Sequence, residues 1–559
     1  MRLTPFNVHA CERGKRYAAV QVPRNRSRFI LTAFCFTAIY CTIGARLIQF
    51  AVARPAEEAI AVVPLPASRP DILDRNGRVL ATDLRTFSLY AEPRKIVDVD
   101  EAVERLTAFL PDLDPAQLYR SLSTKAGFVW IRRKLTPRQK QELYDSGIPA
   151  LGFRPEIKRF YPGGRTAAHV LGFTDVDNRG LSGIERWIDR QGLLALRKAG
   201  LADADALEPT RLALDLRVQY ALRDELAKAR KTFASTAAEG LVLNIKTGEV
   251  LALVSLPDFD PNDPVEAGKP DRLNRISGGT AEMGSTIKTF TTAMTLQMDG
   301  ANLQTKFDTT QPVMVGRRRV RDEGHLEDRP MTVQEIFVRS SNIGSAREAL
   351  DVGVEKHEAF LRQMGLLSSL DVELPEVARP QVPSRWSRAT TVTAAFGHGF
   401  ATTPLQTAVG IAGILNGGKL VQPTFLKREP SEGAPPSREI VSQATSRSMR
   451  QLYRLNVTSG TGRMADVAGY RVGGKTGTAE KVIDGRYARH HNFNVFSAAF
   501  PMDDPRYLVM TIIDDPQAGV PTYLRTASYT AAPVAGNVIK RIAPMLGVMP
   551  KFEMTATAD

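Results

Sequence analysis

Hydrophobic positions along the chain fall into one long uncharged run followed by shorter alternating and helical patterns. The long run, Phe29 to Ala45, reads FILTAFCFTAIYCTIGA, and Leu47-Ile48 extend it past Arg46. Its length approaches the roughly 20 residues that cross a bilayer as a helix. Arg46, near the far end, has a stem long enough to return its charge to the interface. The basic residues Arg2, Arg13, Lys15, Arg16, Arg24, Arg26 and Arg28 precede the run against the single acid Glu12, an asymmetry that places the N-terminus in the cytoplasm and the bulk of the chain outside. Ala51-Val52-Ala53 resembles a cleavage site. The run nevertheless exceeds the roughly 7–15 apolar residues of a cleaved signal, so a retained anchor is expected.

Beyond the anchor, 51–69 is rich in Ala, Val and Pro without periodicity and reads as a stalk. Asn76-Gly77 then supplies a hairpin turn between apolar strands. Helical patterns follow near Asp100–Leu110 and Thr136–Ser146, the second opening on a capping threonine with Pro137 at the first helical position. Leu241 to Val254 reads as two apolar strands joined by a turn at Lys246-Thr247-Gly248. Farther on, Gly397-His398-Gly399 leads into a helix capped at Thr403-Pro404. The basic run Arg317-Arg318-Arg319-Val320-Arg321 reads as a solvated loop.

At 559 residues the chain exceeds what one hydrophobic core normally serves. A net charge of +14 suits nucleic acid, an anionic membrane surface or a polyanionic wall equally, and does not choose among them. The three cysteines, Cys11, Cys35 and Cys41, all precede residue 50, which fits an oxidising compartment without a disulfide framework. No HExxH, Walker A, dinucleotide fingerprint or zinc-finger spacing occurs, and none of the seven histidines has metal-ligand spacing. His169, in an apolar setting, reads as a structural histidine.

The candidate chemistry lies in Glu282-Met283-Gly284-Ser285-Thr286-Ile287-Lys288-Thr289. Three-residue spacing puts Ser285 and Lys288 on one helix face. A serine hydroxyl needs an adjacent base to become a nucleophile, and a lysine kept neutral by burial and nearby cations can be that base. This is the only Ser-x-x-Lys in the chain, and Phe290, Met294 and Leu296 after it make a solvated helix untenable. Ser340-Ser341-Asn342 follows the apolar-periodic Val333, Ile336 and Phe337, and Lys475-Thr476-Gly477-Thr478 follows in a strand-like context after Gly473-Gly474, small residues that would let a ligand backbone lie close.

Ser-x-x-Lys, Ser-x-Asn and Lys-Thr-Gly in this order form the signature of penicillin-binding proteins and class A β-lactamases. The chain resembles the class B penicillin-binding proteins, most closely the division-specific D,D-transpeptidases of the FtsI type. Arg69 to Ala81, Arg159 to Gly172 and Gly180 to Glu185 resemble pedestal motifs of that family, with Pro70 where the family often has Gly. Arg69 to Ala81 is expected to tie the pedestal to the catalytic domain without touching substrate, and no chemistry is assigned to the other two segments. The earlier Lys246-Thr247-Gly248 precedes Ser285 and sits at a hairpin tip, so it reads as a turn.

The resemblance implies an α+β fold: a single N-terminal transmembrane helix, an elongated pedestal, and a transpeptidase domain with an antiparallel sheet flanked by helices. The expected divisions are a cytoplasmic tail 1–28, anchor 29–50, stalk and pedestal 51–208, transpeptidase domain 209–546 and C-terminal tail 547–559. It implies acyl transfer at the D-alanyl-D-alanine end of peptidoglycan stem peptides during septal wall synthesis, with Ser285 acylated and Lys288 taking its proton. Ser340 and Lys475 would relay that proton, the Lys475 charge keeping Lys288 neutral, and Asn342 would hold the substrate amide. Thr476 and Thr478 would bind its carboxylate, Gly477 would keep the strand unobstructed, and the Ser285 and Thr478 amides would form the oxyanion hole. The implied partners are stem peptides as donor and amine acceptor, β-lactams, the inner membrane, and an FtsW-like polymerase with other division proteins, with no cofactor, metal or nucleic acid. An elongation-specific class B transpeptidase is the nearest alternative, and a non-catalytic division scaffold a more remote one. A β-lactamase would lack the pedestal, a β-lactam sensor would need a cytoplasmic effector domain, and 50–205 leaves no room for a glycosyltransferase domain.

Overall fold

The computed structural model describes residues 26–52, 68–193, 207–298, 301–322, 329–429, 431, 433–483, 485–517, 521 and 524–552. Most of the expected N-terminal tail, most of the stalk and the end of the C-terminal tail lie outside these residues. Residues 1–64 form one unit, and its described part is the helix Arg26–Val52. Among the described residues this is the one helix long and apolar enough to cross a membrane, over Ile30–Ile48, with none of that stretch buried. A helix apolar around its circumference is suited to lipid.

The second unit begins with the pedestal. The strand Val79–Ala91 pairs with both Val129–Leu135 and Leu151–Phe160, and with the short Ile72–Leu73 through the turn at Asn76-Gly77. Gly77 has φ +82, which the tight reversal requires. The two helical patterns appear as Val99–Phe109 and Pro137–Asp145. Thr136 caps the latter with a full capping box, its hydroxyl accepting from Gln139 N while the Gln139 side chain accepts from Thr136 N. Leu89, Leu106, Leu122, Leu135 and Leu143 close a small core between them.

The pedestal motifs meet in a buried ion network. Arg69 Nε lies 2.7 Å from Glu185 and its Nη1 2.7 Å from Asp189, while Arg159 Nε is 2.7 Å from the other Glu185 oxygen and Nη1 is 3.1 Å from Asp83. Each guanidinium also donates to a backbone carbonyl, of Asn178 and Glu185 for Arg69 and of Pro70 for Arg159. Such a network tolerates burial because nearly every donor is used. The link to the catalytic domain runs through neighbouring residues. Ile72–Leu73 pairs in parallel with Thr210–Arg211, Arg75 N donates to Leu214 O, and the Asp74 carboxylate accepts from Leu216 N. His169 is buried with Nε2 2.8 Å from the Arg272 carbonyl, a structural placement.

The catalytic domain is built on a five-stranded antiparallel sheet in the order Gly473–Ile483, Arg486–Phe500, Tyr507–Asp514, Ala237–Asn244, Val250–Leu256. Strand alternation splits its side chains between two cores. Leu241, Leu508, Met510 and Ile512 pack with Phe290, Leu405 and Leu452 from helices on one face; Val242, Val509 and Ile513 pack with Leu222, Leu226 and Ile539 from the helices Leu216–Thr232 and Ala531–Met545 on the other. The helix Pro404–Leu415 is buried along its whole length, as its apolar sequence demands. Lys246-Thr247-Gly248 is the turn between the strands Ala237–Asn244 and Val250–Leu256, with Lys246 Nζ paired to Asp504 at 2.9 Å.

Packing requires both glycines before Lys475. A Cβ on Gly474 would lie 2.4 Å from the Phe496 ring, and one on Gly473 2.7 Å from the Met502 side chain. Arg317, Arg319 and Arg321 do expose their side chains, but 318–319 pairs with 314–315 in a small hairpin, and the end of the run reaches the candidate site.

Candidate active site

Ser285 sits in a 3-10 turn, Gly284–Ile287, that runs directly into the helix Lys288–Met298. Gly284 has φ +52, and a Cβ there would lie 2.6 Å from the Thr478 carbonyl oxygen. From the other side, a Cβ on Gly477 would lie 2.1 Å from Thr286 Oγ1 and 2.6 Å from the Met283 carbonyl oxygen. Gly284 and Gly477 therefore let the turn that carries Ser285 lie flat on the edge strand, and that contact fixes Ser285 beside Thr478.

Lys288 and Lys475 are both fully buried. Lys288 Nζ donates to the Ser340 carbonyl at 2.5 Å, to Ser340 Oγ at 3.2 Å and to Asn342 Oδ1 at 2.8 Å. Lys475 Nζ donates to the same Ser340 Oγ at 2.9 Å and to Thr476 O at 3.1 Å, and lies 5.7 Å from the centre of the Phe337 ring. Ser340 thus bridges two amines from opposite ends of the sequence. It ends the helix Val333–Arg339 in the left-handed region, φ +61 and ψ +43, a conformation in which a non-glycine residue stores strain and which recurs at functional sites.

The next helix, Asn342–Val352, starts two residues later, with Ser341 Oγ accepting from Gly344 N. An unforeseen carboxylate, Asp322, completes its cap. Asp322 Oδ1 accepts from Asn342 N at 2.5 Å and Ile343 N at 3.0 Å, and Oδ2 accepts from the Ser341 hydroxyl at 2.6 Å. An anion at a helix N-terminus meets free amides and the positive end of the dipole. The Asn342 side-chain nitrogen donates to Arg321 O at 3.1 Å, so both ends of that amide are fixed.

Ser285, Ser340, Asn342, Thr461, Thr476 and Thr478 line a cavity of about 590 Å³. Thr476 Oγ1 is 2.7 Å from Thr461 Oγ1, and Thr478 Oγ1 accepts from Ala527 N at 3.1 Å. Thr461 is oriented by Asn456 Oδ1, while Asn456 Nδ2 donates to Gly474 O. Of the residues read from the sequence as site candidates, Ser285, Ser340, Asn342, Thr476 and Thr478 line the cavity, Lys288 and Lys475 reach it through Ser340, and Gly477 backs it against the turn that carries Ser285. The sequence reading missed Asp322, Thr461 and His398, which also line it. Behind it, burial pushes the Tyr453 hydroxyl up to about 12 and the Glu348 carboxyl up to about 8. Tyr453 OH lies 2.8 Å from Thr289 Oγ1, and Glu348 accepts from Thr292 Oγ1 at 3.2 Å, holding the first turns of the helix Lys288–Met298. Among the described residues no group of three or more His, Cys, Asp or Glu side chains is arranged to hold a metal ion.

Comparison with known proteins agrees with this geometry. Residues 240–541 match the penicillin binding protein transpeptidase domain, and residues 64–188 match the penicillin-binding protein dimerisation domain. The chain is 36% identical over 565 residues to a probable peptidoglycan D,D-transpeptidase FtsI of Caulobacter vibrioides, covering 99% of this chain and 94% of that protein. It is 27% identical over 516 residues to the peptidoglycan D,D-transpeptidase FtsI of Escherichia coli K12, covering 88% and 86%. The fold is shared with penicillin binding protein 3 of Mycobacterium tuberculosis, solved in complex with aztreonam, at a TM-score of 0.67 and 24% identity over 87% of this chain and 98% of that one.

Proposed function

We infer the roles of individual residues from one premise: the chain belongs to the class B penicillin-binding proteins of the FtsI type, and is a peptidoglycan D,D-transpeptidase acting through a serine acyl-enzyme. Ser285 attacks the penultimate carbonyl of the stem peptide and expels the terminal D-alanine. Lys288 receives the serine proton, and Ser340 passes it toward the leaving amine with Lys475 alongside. The observation that carries this reading is Ser340 Oγ held between the two lysine amines at 3.2 and 2.9 Å. An amine from a neighbouring stem peptide then attacks the ester and closes the cross-link.

Asn342 faces the substrate amide. Thr476 and Thr478 offer hydroxyls to the terminal carboxylate, with Thr461 joined to Thr476. The amides of Ser285 and Thr478 receive the oxyanion, a contact whose loss costs about a hundred- to a thousandfold in rate. Incubation with a labelled penicillin followed by peptide mass spectrometry should place one adduct on Ser285 and none on Ser285→Ala. An adduct on another residue would refute the assignment.

The machine it serves is septal, with the pedestal ending near residue 208, the N-terminus cytoplasmic and the catalytic domain on the outer side of the inner membrane. Relatives named FtsI support this reading, as does the charge asymmetry before the apolar helix. Thr42, Gly44 and Ala45 give that helix a narrow face for a polytopic FtsW-like polymerase. The Thr42 hydroxyl donates to Ala38 O within the helix. Depletion in the native cell should give filaments with blocked constriction. Rounded cells that still divide would transfer the assignment to elongation.

A further inference from the structure

A second group of polar side chains borders the nucleophile and takes no part in the relay of Lys288, Ser340 and Lys475. Glu282 lies three residues before Ser285, and its carboxylate gathers three partners. It accepts from Gly399 N at 2.8 Å, it faces His398 Nδ1 at 2.8 Å, and the Tyr487 hydroxyl lies 3.2 Å from each of its oxygens. His398 is further held edge-on by Phe396 and Tyr487, with ring centres at 5.6 and 5.8 Å.

The loop that carries the histidine is pressed onto the nucleophile turn. Gly284 N donates to Gly397 O at 3.3 Å, and a Cβ on Gly397 would lie 2.0 Å from the Gly284 carbonyl oxygen. Gly397 and Gly399, at φ +89 and +83, are what allow the backbone to approach so closely while turning on both sides of His398. His398 lines the same cavity as Ser285. With Nδ1 committed to Glu282, Nε2 is the nitrogen left to meet a ligand there. A carboxylate that orients an imidazole next to a nucleophile is the arrangement by which a histidine accepts and holds a proton.

The first half of the reaction already has its proton carriers, so the chemistry left for this pair lies in the second half. A primary amine of ordinary basicity, near that of lysine at about 10.4, arrives at neutral pH as an ammonium and is no nucleophile until it loses a proton. We propose that His398, oriented by Glu282, receives the acceptor amine of the transpeptidation, an inference that rests on Ser285 being the acylated residue. His398 Nε2 takes one proton from the ammonium and becomes an imidazolium paired with Glu282. The amine nitrogen then bonds to the acyl carbon, the bond from that carbon to Ser285 Oγ breaks, and a second proton returns through Lys288 to Ser285 Oγ. The third proton stays on the new amide, and His398 releases its own to water.

The test uses the full-length protein in detergent, a thioester analogue of the D-alanyl donor, and D-alanine as the acceptor amine. Product ratios give the partition of the acyl-enzyme between aminolysis and hydrolysis, and thiol release gives acylation. His398→Gln and His398→Ala should lower the aminolysis-to-hydrolysis ratio at least about tenfold beyond any change in acylation. Glu282→Gln, which preserves the shape of the pair, should shift the ratio the same way. An unchanged ratio in these variants, or acylation and aminolysis falling in step, would overturn the proposal. A wild-type protein that the thioester fails to acylate at Ser285 would instead refute the reading beneath it.

Discussion

Ser340 concentrates the demands on this site at one residue. Its hydroxyl stands between two buried amines while its backbone ends a helix in the left-handed region. The two demands separate by substitution. Ser340→Gly keeps the backbone conformation without penalty and removes only the hydroxyl. Penicillin acylation of that variant should fall at least about a hundredfold, the lower range for losing a proton-transfer group, with a lower melting temperature because two buried amines lose a shared acceptor. A variant that acylates at the wild-type rate would remove Ser340 from the relay and leave direct transfer from Lys288.

At the scale of elements, the site is a seam between an edge strand, a 3-10 turn and the mouth of a helix, and Asp322 is what orders that mouth. Asp322→Ala leaves the amides of Asn342 and Ile343 and the Ser341 hydroxyl without their acceptor. Loss of a cap of this kind costs about 0.5–2 kcal/mol. The expected outcome is a lower melting temperature together with slower acylation, since Asn342 and Ser340 flank the same cap. Acylation unaffected in the presence of a lowered melting temperature would confine Asp322 to a structural role.

The parts of the site that were legible in the sequence are those whose geometry is set by local spacing. Ser285 and Lys288 share a turn, Ser340 and Asn342 flank a helix break, and Thr476, Gly477 and Thr478 follow one another on a strand. Asp322, Thr461 and His398 were not legible as site residues because nothing local marks them. Asp322 meets Asn342 across a break between separate elements, Thr461 meets Thr476 across a strand end, and His398 is presented by a loop that docks on Gly284. The sheet and the capped helices were readable from alternation and turn chemistry. The ion network of Arg69, Arg159, Glu185 and Asp189 was not, because it joins segments more than a hundred residues apart in sequence.

Taken whole, the catalytic domain holds several carboxyls that its folding leaves poorly solvated, Glu239, Glu348 and Asp514 among them. Burial pushes both Glu239, beside Asp514, and Glu348 up to about 8 from an ordinary value of 4.5. A carboxyl with a folded pKa above its unfolded one binds its proton more tightly in the native state, so the stability it supports is full below about pH 4.5 and is lost as pH rises toward 8. The melting temperature should therefore decline between pH 5 and pH 8, and Glu348→Gln should flatten that decline. An unchanged slope in the variant would show that Glu348 does not keep its proton in the folded protein.

The pairing of Ile72–Leu73 with Thr210–Arg211 also bears on mechanics. The chain enters the pedestal and leaves it through adjacent parallel strands, closed by Thr210 N to Asp71 O at 2.8 Å, Leu212 N to Leu73 O at 2.9 Å and Arg75 N to Leu214 O at 2.9 Å. A pull applied to residue 68 against the catalytic domain therefore loads these hydrogen bonds together, in shear, and passes into the segment beginning at Leu212. Ser68 Oγ and Arg69 N also hold the Asp83 carboxylate and the Arg69 guanidinium holds Glu185 and Asp189, so the same pull divides into the pedestal, which is itself joined to the catalytic domain through Tyr161 N to Asn262 and His169 to the Arg272 carbonyl. The load of the tether is thereby shared among several parallel contacts before it reaches the domain that carries Ser285.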